Sequence, residues 1–339
     1  MMNTRNDYDS TTDKQKTRIL SMNREASNFF HKCLRTEEGM VGYKYLKERG
    51  LADDTINKFC LGFAPASFNA LTACMLRKGY KKDELVLANL SRYSPKNPNY
   101  IYDNFRNRVI FPISDINGNI IAFGGRVMDD SKPKYLNTAD TLAYKKSKGI
   151  FALNFAKKSG KDSLILCEGY MDVIAMHQAG FTNTVAGLGT VLTSEQANLL
   201  SQYALEVLLC YDADEAGHRA SERALRIFEN TNAEIKTIQL SGGKDPDEII
   251  KNCGVEKMKT LIKEAENKVE FILRHERNKY DLATDDGKIQ YIKEAIKVIS
   301  GLSGIELEIY ASSLADEFSI SKEVIILEAR NWVENHAAK

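Results

Sequence analysis

No apolar run in the 339-residue sequence reaches the length needed to cross a membrane, and Met1 to Ser21 is polar, without the apolar centre of a signal peptide. Membrane-embedded and exported classes are set aside on that ground, and a cytoplasmic location with no membrane partner is expected. Paired cysteines are missing too. The six present, Cys33, Cys60, Cys74, Cys167, Cys210 and Cys253, stand singly with no C-x-x-C spacing, which argues against a zinc site and against a disulfide framework. Cys167 and Cys210 fall in apolar, strand-like runs and are expected to be small core residues. There is no internal repeat and no low-complexity tract. Net charge is only +1, which by itself says nothing about a polyanionic partner.

The distribution of that charge says more. Residues 1–160 carry 27 Lys and Arg against 16 Asp and Glu, a net of +11, and the remainder carries 20 against 30, a net of −10. A basic front half joined to an acidic rear half suits a protein that holds a polyanion beside a metal-dependent acidic site; solvated surfaces with accidental asymmetry are the plainer account. A hydrophobic fraction of 43% with 27% charged residues is ordinary for a globular chain, and the length predicts two or three domains, each with its own core.

The pattern predicts an α/β protein in four stretches. Residues 1–20 are polar and aperiodic and read as a linker or flexible arm. Residues 21–158 form a basic, mixed α+β subdomain, with a helix over Val41 to Arg49 ending at Gly50, and a hairpin from Arg108–Ile113 to Ile120–Phe123 turning at Asn117-Gly118. Residues 159–254 alternate strand and helix, which favours a parallel sheet with flanking helices. The strands are expected at Ser163–Cys167, Thr182–Ala186, Leu205–Tyr211 and Glu234–Leu240, and the helices near Met171–Ala179, Ser194–Tyr203 and Glu215–Asn230. Residues 255–339 read as a helical bundle, with Ile289, Ile292, Ile296 and Ile299, and Leu307, Tyr310, Leu314 and Phe318, marking buried stripes.

Three of the predicted strands run into carboxylates: Glu168 with Asp172, Asp212 with Asp214, and Asp245 with Asp247. In a doubly wound parallel sheet the ligand crevice lies outside the carboxyl ends of the strands, so all three clusters are expected at one edge. Six carboxylates there repel one another unless divalent cations intervene, and hard oxygen ligands beside room for water and phosphate suit Mg²⁺ or Mn²⁺. Asp212 and Asp214 straddle one residue and on a strand end would point the same way. Gly169 is expected to allow a sharp turn and Gly217 close packing. Gly187-Leu188-Gly189-Thr190 precedes a helix whose N–H groups could meet phosphate, although a structural turn is the simpler account. The competing explanation for the acids is helix N-capping, which accounts readily for any one cluster.

An apolar strand ending in Glu168-Gly169, followed later by one ending in Asp212-x-Asp214, resembles the TOPRIM domain of primases, topoisomerases, certain nucleases and recombination mediators. The longer strings Glu168-Gly169-Tyr170-Met171-Asp172-Val173, Tyr211-Asp212-Ala213-Asp214-Glu215-Ala216-Gly217 and Gly243-Lys244-Asp245-Pro246-Asp247 resemble the bacterial DnaG-type primases. So do Asn107-Arg108-Val109-Ile110-Phe111-Pro112-Ile113, Phe123-Gly124-Gly125-Arg126-Val127 and Lys134-Tyr135-Leu136-Asn137. The likeness extends over about residues 20–335.

The resemblance implies a DNA-templated RNA polymerase that makes short RNA primers from nucleoside triphosphates on single-stranded DNA. Glu168, Asp212 and Asp214 would be catalytic, and with Asp172, Asp245 and Asp247 would hold Mg²⁺ or Mn²⁺. Arg49, Arg126, Lys134, Asn137 and Lys146 would guide template and nucleotide. A monomer is expected, as is competition by an alarmone such as guanosine tetraphosphate (ppGpp). The early residues lack the zinc-ligand spacing of the family's N-terminal module. The chain reads as an isolated catalytic core, with the segment that docks the replicative helicase also expected to be missing. Two rivals remain: another metal-dependent TOPRIM nuclease or topoisomerase, and a non-catalytic nucleic-acid-binding module.

Overall fold

The computed structural model describes residues 4–189 and 191–336, which divide into two compact units meeting at Lys263 and Glu264. The first unit begins with a long helix, α1 (Thr4–Cys33). Its buried face is Ile19, Met22, Ala26 and Phe30, a helical spacing that lays the stripe on the core of the front half. The stretch read as a linker is therefore helical over its described part. Among the residues whose side chains are described, its buried stripe starts at Ile19, and the polar residues before it carry no periodic signal in the sequence. Arg18 marks the transition, donating to Glu84 at 2.9 Å with its guanidinium 4.2 Å from the Tyr80 ring centre.

Short helices α2 (Met40–Glu48) and α3 (Asp53–Lys58) lead into β1 (Gly62–Ala64), and α4 (Ala70–Arg77) and α5 (Lys82–Leu87) precede a hairpin, β2 (Ser91–Ser94) and β3 (Asn97–Asp103). Then come β4 (Arg108–Ser114), β5 (Ile120–Arg126) and β6 (Tyr135–Asn137), which join β1 in an antiparallel sheet of order β1-β4-β5-β6. The β4–β5 turn falls where Asn117-Gly118 predicts it. Asp115 Oδ1 accepts from the backbone N–H of Asn117 and of Asn119, both at 2.9 Å, and Gly118 takes φ +90°, which a side chain would resist. The register places Ala64 opposite Arg108, Val109 opposite Arg126, and Arg126 opposite Tyr135. One end of this sheet thus collects Arg108, Arg126 and the residues that enter β6.

The rear half of the unit runs β7 (Ile150–Phe151), α6 (Leu153–Ala156), β8 (Ser163–Cys167), α7 (Tyr170–Gln178), β9 (Thr184–Gly187), α8 (Ser194–Ser201), β10 (Glu206–Cys210), α9 (Glu215–Phe228), β11 (Glu234–Thr237) and α10 (Pro246–Lys263). Its strands lie in the order β11-β10-β8-β9-β7; the first four are parallel, and β7 pairs antiparallel with β9. The sheet is accordingly mixed, through an edge strand too short to leave a sequence signal. β8 and β10 are buried at all but their first residues, Cys167 and Cys210 included, as expected for strands covered on both faces.

The second unit contains α11 (Lys268–Arg277), α12 (Asp285–Ile299), α13 (Gly304–Phe318) and α14 (Lys322–His336). Its core is Tyr291, Ile292, Ala295, Ile296 and Ile299 of α12 against Ala311, Leu314 and Ala315 of α13 and Ile325 and Ala329 of α14. Leu307, Tyr310 and Phe318 pack partly buried around it. Ile289 departs from the predicted stripe, being 51% exposed, because the packed face of α12 begins a turn later and takes in Tyr291.

Candidate active site

Consecutive crossovers leave β8 in opposite directions: α7 carries the chain to β9 on one side, and α8 carries it past to β10 on the other. The carboxyl ends of β8 and β10 therefore flank a switch point, where the diverging connections open a crevice. Glu168 and Asp212 sit there. Glu168 Oε1 accepts from the Asp212 N–H at 3.0 Å, and the Ala213 N–H donates to the Lys244 carbonyl at 2.8 Å, tying in the loop that carries Asp245 and Asp247.

Several of the acids do cap helices, each with an oxygen to spare. Asp172 Oδ2 accepts from the Gly169 N–H at 3.1 Å in the first turn of α7. Asp214 Oδ1 accepts from Gly217 N–H at 2.8 Å as the N-cap of α9, and Asp245 Oδ1 from Glu248 N–H at 2.7 Å beside the start of α10. Capping thus explains the positions of three acids without using up their ligand capacity. It also revises the geometry expected of Asp212 and Asp214. β10 stops at Cys210, so their proximity comes from the turn into α9 and not from strand alternation. Gly217 makes that turn possible, since a Cβ there would lie 2.1 Å from the Asp212 carbonyl oxygen. Gly169, in contrast, is extended at φ −131° and makes no turn that demands glycine.

Burial and like charge act together on the cluster. Burial, then Asp245, Asp212 and Asp247, push the Asp172 carboxyl up to about 8. Burial, then Glu168, Asp245 and Asp214, push Asp212 up to about 7 against the opposing pull of Lys244. Asp247 is raised by burial, opposed chiefly by Arg49. Among the described residues no three of the six acids bring carboxylate oxygens within 4.8 Å of one another. Such an open donor set fits a hard cation that keeps water and phosphate in its shell better than it fits a closed protein cage.

The basic residues divide. Arg49 Nη1 meets Asp247 Oδ2 at 3.3 Å, joining the front half to the acids. Arg126 Nη1 donates to the Tyr135 hydroxyl at 2.8 Å, its guanidinium lies 5.2 Å from the Tyr45 ring centre, and its Nε is buried with no partner among the described residues. Asn137 and Lys146 line one cavity of about 490 Å³ together with Glu168, Gly187 and Gly189. Lys134 is not drawn in: its side chain is exposed and has no partner among the described residues. Thr190, the last residue of the glycine loop, lies outside the described residues. α8 is capped by Thr193 and Gln196, which occupies donors a phosphate would need.

Some participants went unread in the sequence. Tyr170 is buried, stacks on Phe111 at 5.0 Å between ring centres, and donates its hydroxyl to Asn137 Oδ1 at 2.8 Å, bracing the front half against the acidic edge. Lys244 is the cation beside Asp212. At the Arg108 end of the front sheet, Phe68 is 60% exposed, its ring 4.7 Å below the Arg106 guanidinium and edge-on to Tyr102. Phe68 and Arg106 are 38 positions apart, so only the fold makes them a pair.

Comparison with known proteins agrees with this architecture. Residues 29–157 match the family model described as the DNA primase catalytic core, N-terminal domain, and residues 165–250 match a Toprim-like model. The DNA primase of Clostridium acetobutylicum is 38% identical over 319 residues, covering 94% of this chain and 53% of that protein. The chain thus spans about half the length of the curated relatives it matches. A DNA primase domain from Pseudomonas aeruginosa is 31% identical with a TM-score of 0.73, over 92% of this chain and 99% of that one. A DnaG primase catalytic domain bound to single-stranded DNA is 28% identical with a TM-score of 0.74, over 92% and 99% respectively. One expectation is corrected: residues 269–323 match a model described as the DnaB-helicase binding domain of primase, so a segment of that type is present. The apolar stripes of its helices mark a bundle and carry no partner-specific signal. By the extent and identity of these matches, the chain belongs to the family of DnaG-type primases, over their catalytic core.

Proposed function

We propose that this chain joins ribonucleotides into a short RNA primer on a single-stranded DNA template. The observation that carries the reading is the convergence of six acids on the β8/β10 switch point, with the basic half closing on them through Arg49 and Asp247. In the reaction, a 3′-hydroxyl attacks the α-phosphorus of a nucleoside triphosphate. The bond from that phosphorus to the bridging oxygen breaks, pyrophosphate leaves, and the hydroxyl proton passes to solvent.

Glu168, Asp212 and Asp214, with Asp172, Asp245 and Asp247 around them, are the residues that would hold Mg²⁺ or Mn²⁺, which supplies neutralisation of phosphate charge and acidification of the attacking hydroxyl. The remaining work is positioning. Lys146 and Asn137 receive the nucleotide in the 490 Å³ cavity, where Tyr170 fixes the Asn137 amide through its carbonyl oxygen. Arg126, held flat by its tyrosines, and Arg49 present charge to phosphate, and Lys134 adds an exposed cation. The template strand runs over the exposed Phe68 ring and Arg106, a stacking surface beside a cation of the kind single strands favour.

Asp212→Asn and Glu168→Gln are expected to abolish templated primer synthesis while the circular dichroism spectrum stays that of the parent. Normal synthesis by either folded variant would sink the assignment. We also propose that the chain acts as a monomer, that guanosine tetraphosphate competes for the nucleotide cavity, and that the helices of the second unit dock the replicative helicase. Loss of primer on adding the alarmone, relieved by excess nucleotide, is the expected result for the competition.

A further inference from the structure

A second cavity, of about 290 Å³, shares Glu168, Gly187 and Gly189 with the one assigned to the nucleotide but is lined by neither Lys146 nor Asn137. It opens instead onto Tyr211 and onto Ala220, Arg223 and Ala224 of α9. These three positions share one face of the helix. The azimuth of that face is fixed at the helix start, where Asp214 caps the first turn and Gly217 packs against the Asp212 carbonyl. Alanines flank the arginine, and glycines form the facing wall, so small residues leave the space and Arg223 supplies the cation. Among the described residues neither the Arg223 guanidinium nor the Tyr211 hydroxyl has a hydrogen bond or ion pair, although Arg223 is close enough to Tyr211 to act on it electrostatically. A fork of N–H donors and a phenol, both unengaged, thus face a space bounded by Glu168.

We infer that Arg223, assisted by Tyr211, is the residue that receives the β- and γ-phosphates of the nucleoside triphosphate, and the pyrophosphate they become. This rests on the reading of Glu168 and its neighbours as the primase site. A guanidinium pairs with phosphate oxygens two at a time, which makes it a positioning device for a tail that must depart in line with the attacking hydroxyl. The arrangement divides labour around the glycine loop. Lys146 and Asn137 hold one part of the nucleotide, Arg223 holds the tail, and Glu168 stands between them.

The test is binding without template, by titration calorimetry in Mg²⁺, of adenosine triphosphate, inorganic pyrophosphate and adenosine monophosphate. Arg223→Ala should weaken the triphosphate and pyrophosphate by about tenfold to a hundredfold and leave the monophosphate unchanged. Arg223→Lys should recover part of the loss, and Tyr211→Phe should show a smaller one. Melting midpoints should match the parent, because Arg223 is exposed; Arg223→Gln serves if the alanine variant folds poorly. Equal losses for mono- and triphosphate, or no loss in a folded variant, would overturn the assignment. Its failure is separable from failure of the site itself: an active Glu168→Gln variant refutes the primase reading, whereas an inactive one with unaltered triphosphate binding in Arg223→Ala refutes only this inference.

Discussion

The two halves of the first unit bury aspartates in opposite ways. In the antiparallel half, Asp103 is 2% exposed, and both its oxygens are met: Oδ2 by the Leu71 N–H at 2.8 Å, and Oδ1 by the Thr72 N–H at 2.8 Å and the Thr72 hydroxyl at 2.6 Å. Burial raises its pKa and those bonds pull it back. In the parallel half, Asp172 accepts one backbone bond and otherwise faces Asp245, Asp212 and Asp247. A buried charge whose bonds are complete fastens a helix to a sheet, here α4 to β3. A buried charge left incomplete, among others of its own sign, is the feature on which the proposed cation site rests. The residue type is the same, and the company it keeps decides its use.

Substitution should separate the two kinds. Asp212→Asn is expected to abolish primer synthesis yet melt at or above the parent temperature, because it removes like-charge repulsion. Asp103→Ala should do the reverse. It strands two backbone donors and a hydroxyl, costing about 3 kcal/mol, while the activity per folded molecule persists. Paired melting and primer-synthesis assays read both, and a destabilised Asp212→Asn would erase the contrast. Asp172→Asn falls between them. Divalent-cation affinity should drop by roughly ten- to a hundredfold, as for a group that orients ligands, with stability unchanged or improved. Calorimetric titration with Mn²⁺ measures it, and unaltered affinity would place Asp172 outside the cation site.

The same contrast explains what the sequence could disclose. Ser163–Cys167 was legible to the residue because an apolar run closes on Glu168-Gly169, and α7, α8 and α9 are displaced from expectation only at their ends. The acids were legible as a group because carboxylates that follow three neighbouring strands of one sheet have few uses. Which oxygen caps a helix and which remains free was not, since that depends on where β10 stops: it ends at Cys210, one residue short of the expected Tyr211, and Asp214 becomes an N-cap and not half of a strand pair. Nor was the aromatic framework. Tyr45, Tyr135 and Tyr170 lie far apart in sequence, and only the packing of α2, β5, β6 and α7 gathers them around Arg126 and Asn137. Arg106 and Phe68 escaped for the same reason, and α1 lacked any periodic signal before Ile19.

Between these halves lies a third buried ionisable group, smaller in effect. His177 of α7 donates from Nε2 to the Thr184 carbonyl at 2.8 Å, its Nδ1 is buried without a partner among the described residues, and Phe59 and Phe155 meet its ring edge-on. Burial, with a further push from Lys58, depresses its pKa from 6.5 to about 4 against the opposing Thr184 bond. The unfolded chain therefore binds the proton first. Its stabilising contribution is complete above pH 6.5 and is lost as pH falls toward 4, by at most about 1.4 kcal/mol per pH unit. Urea midpoints across that window should fall more steeply for the parent than for His177→Gln. Parallel curves would assign the acid sensitivity of this half to its carboxylates alone.

The smallest effect tests the basic half. Arg126 is oriented by the Tyr135 hydroxyl and by the rings of Tyr45 and Tyr135, whose centres lie 5.2 and 5.3 Å away, with one buried N–H left over. If that orientation serves a phosphate, Arg126→Ala should lower the salt dependence of single-strand binding by about one unit of slope. Arg126→Lys should keep the slope, since charge alone sets counterion release, but lose a few-fold in affinity with the planar stacking, worth about 1 kcal/mol. Tyr135→Phe, which leaves the charge and frees only its orientation, should change affinity less than either. Fluorescence anisotropy of a labelled oligonucleotide across a salt series distinguishes the three. An Arg126→Ala slope equal to that of the parent would mean that the guanidinium is a strut between Tyr45 and Tyr135, and that the front half, like Asp103 within it, has completed its charges internally.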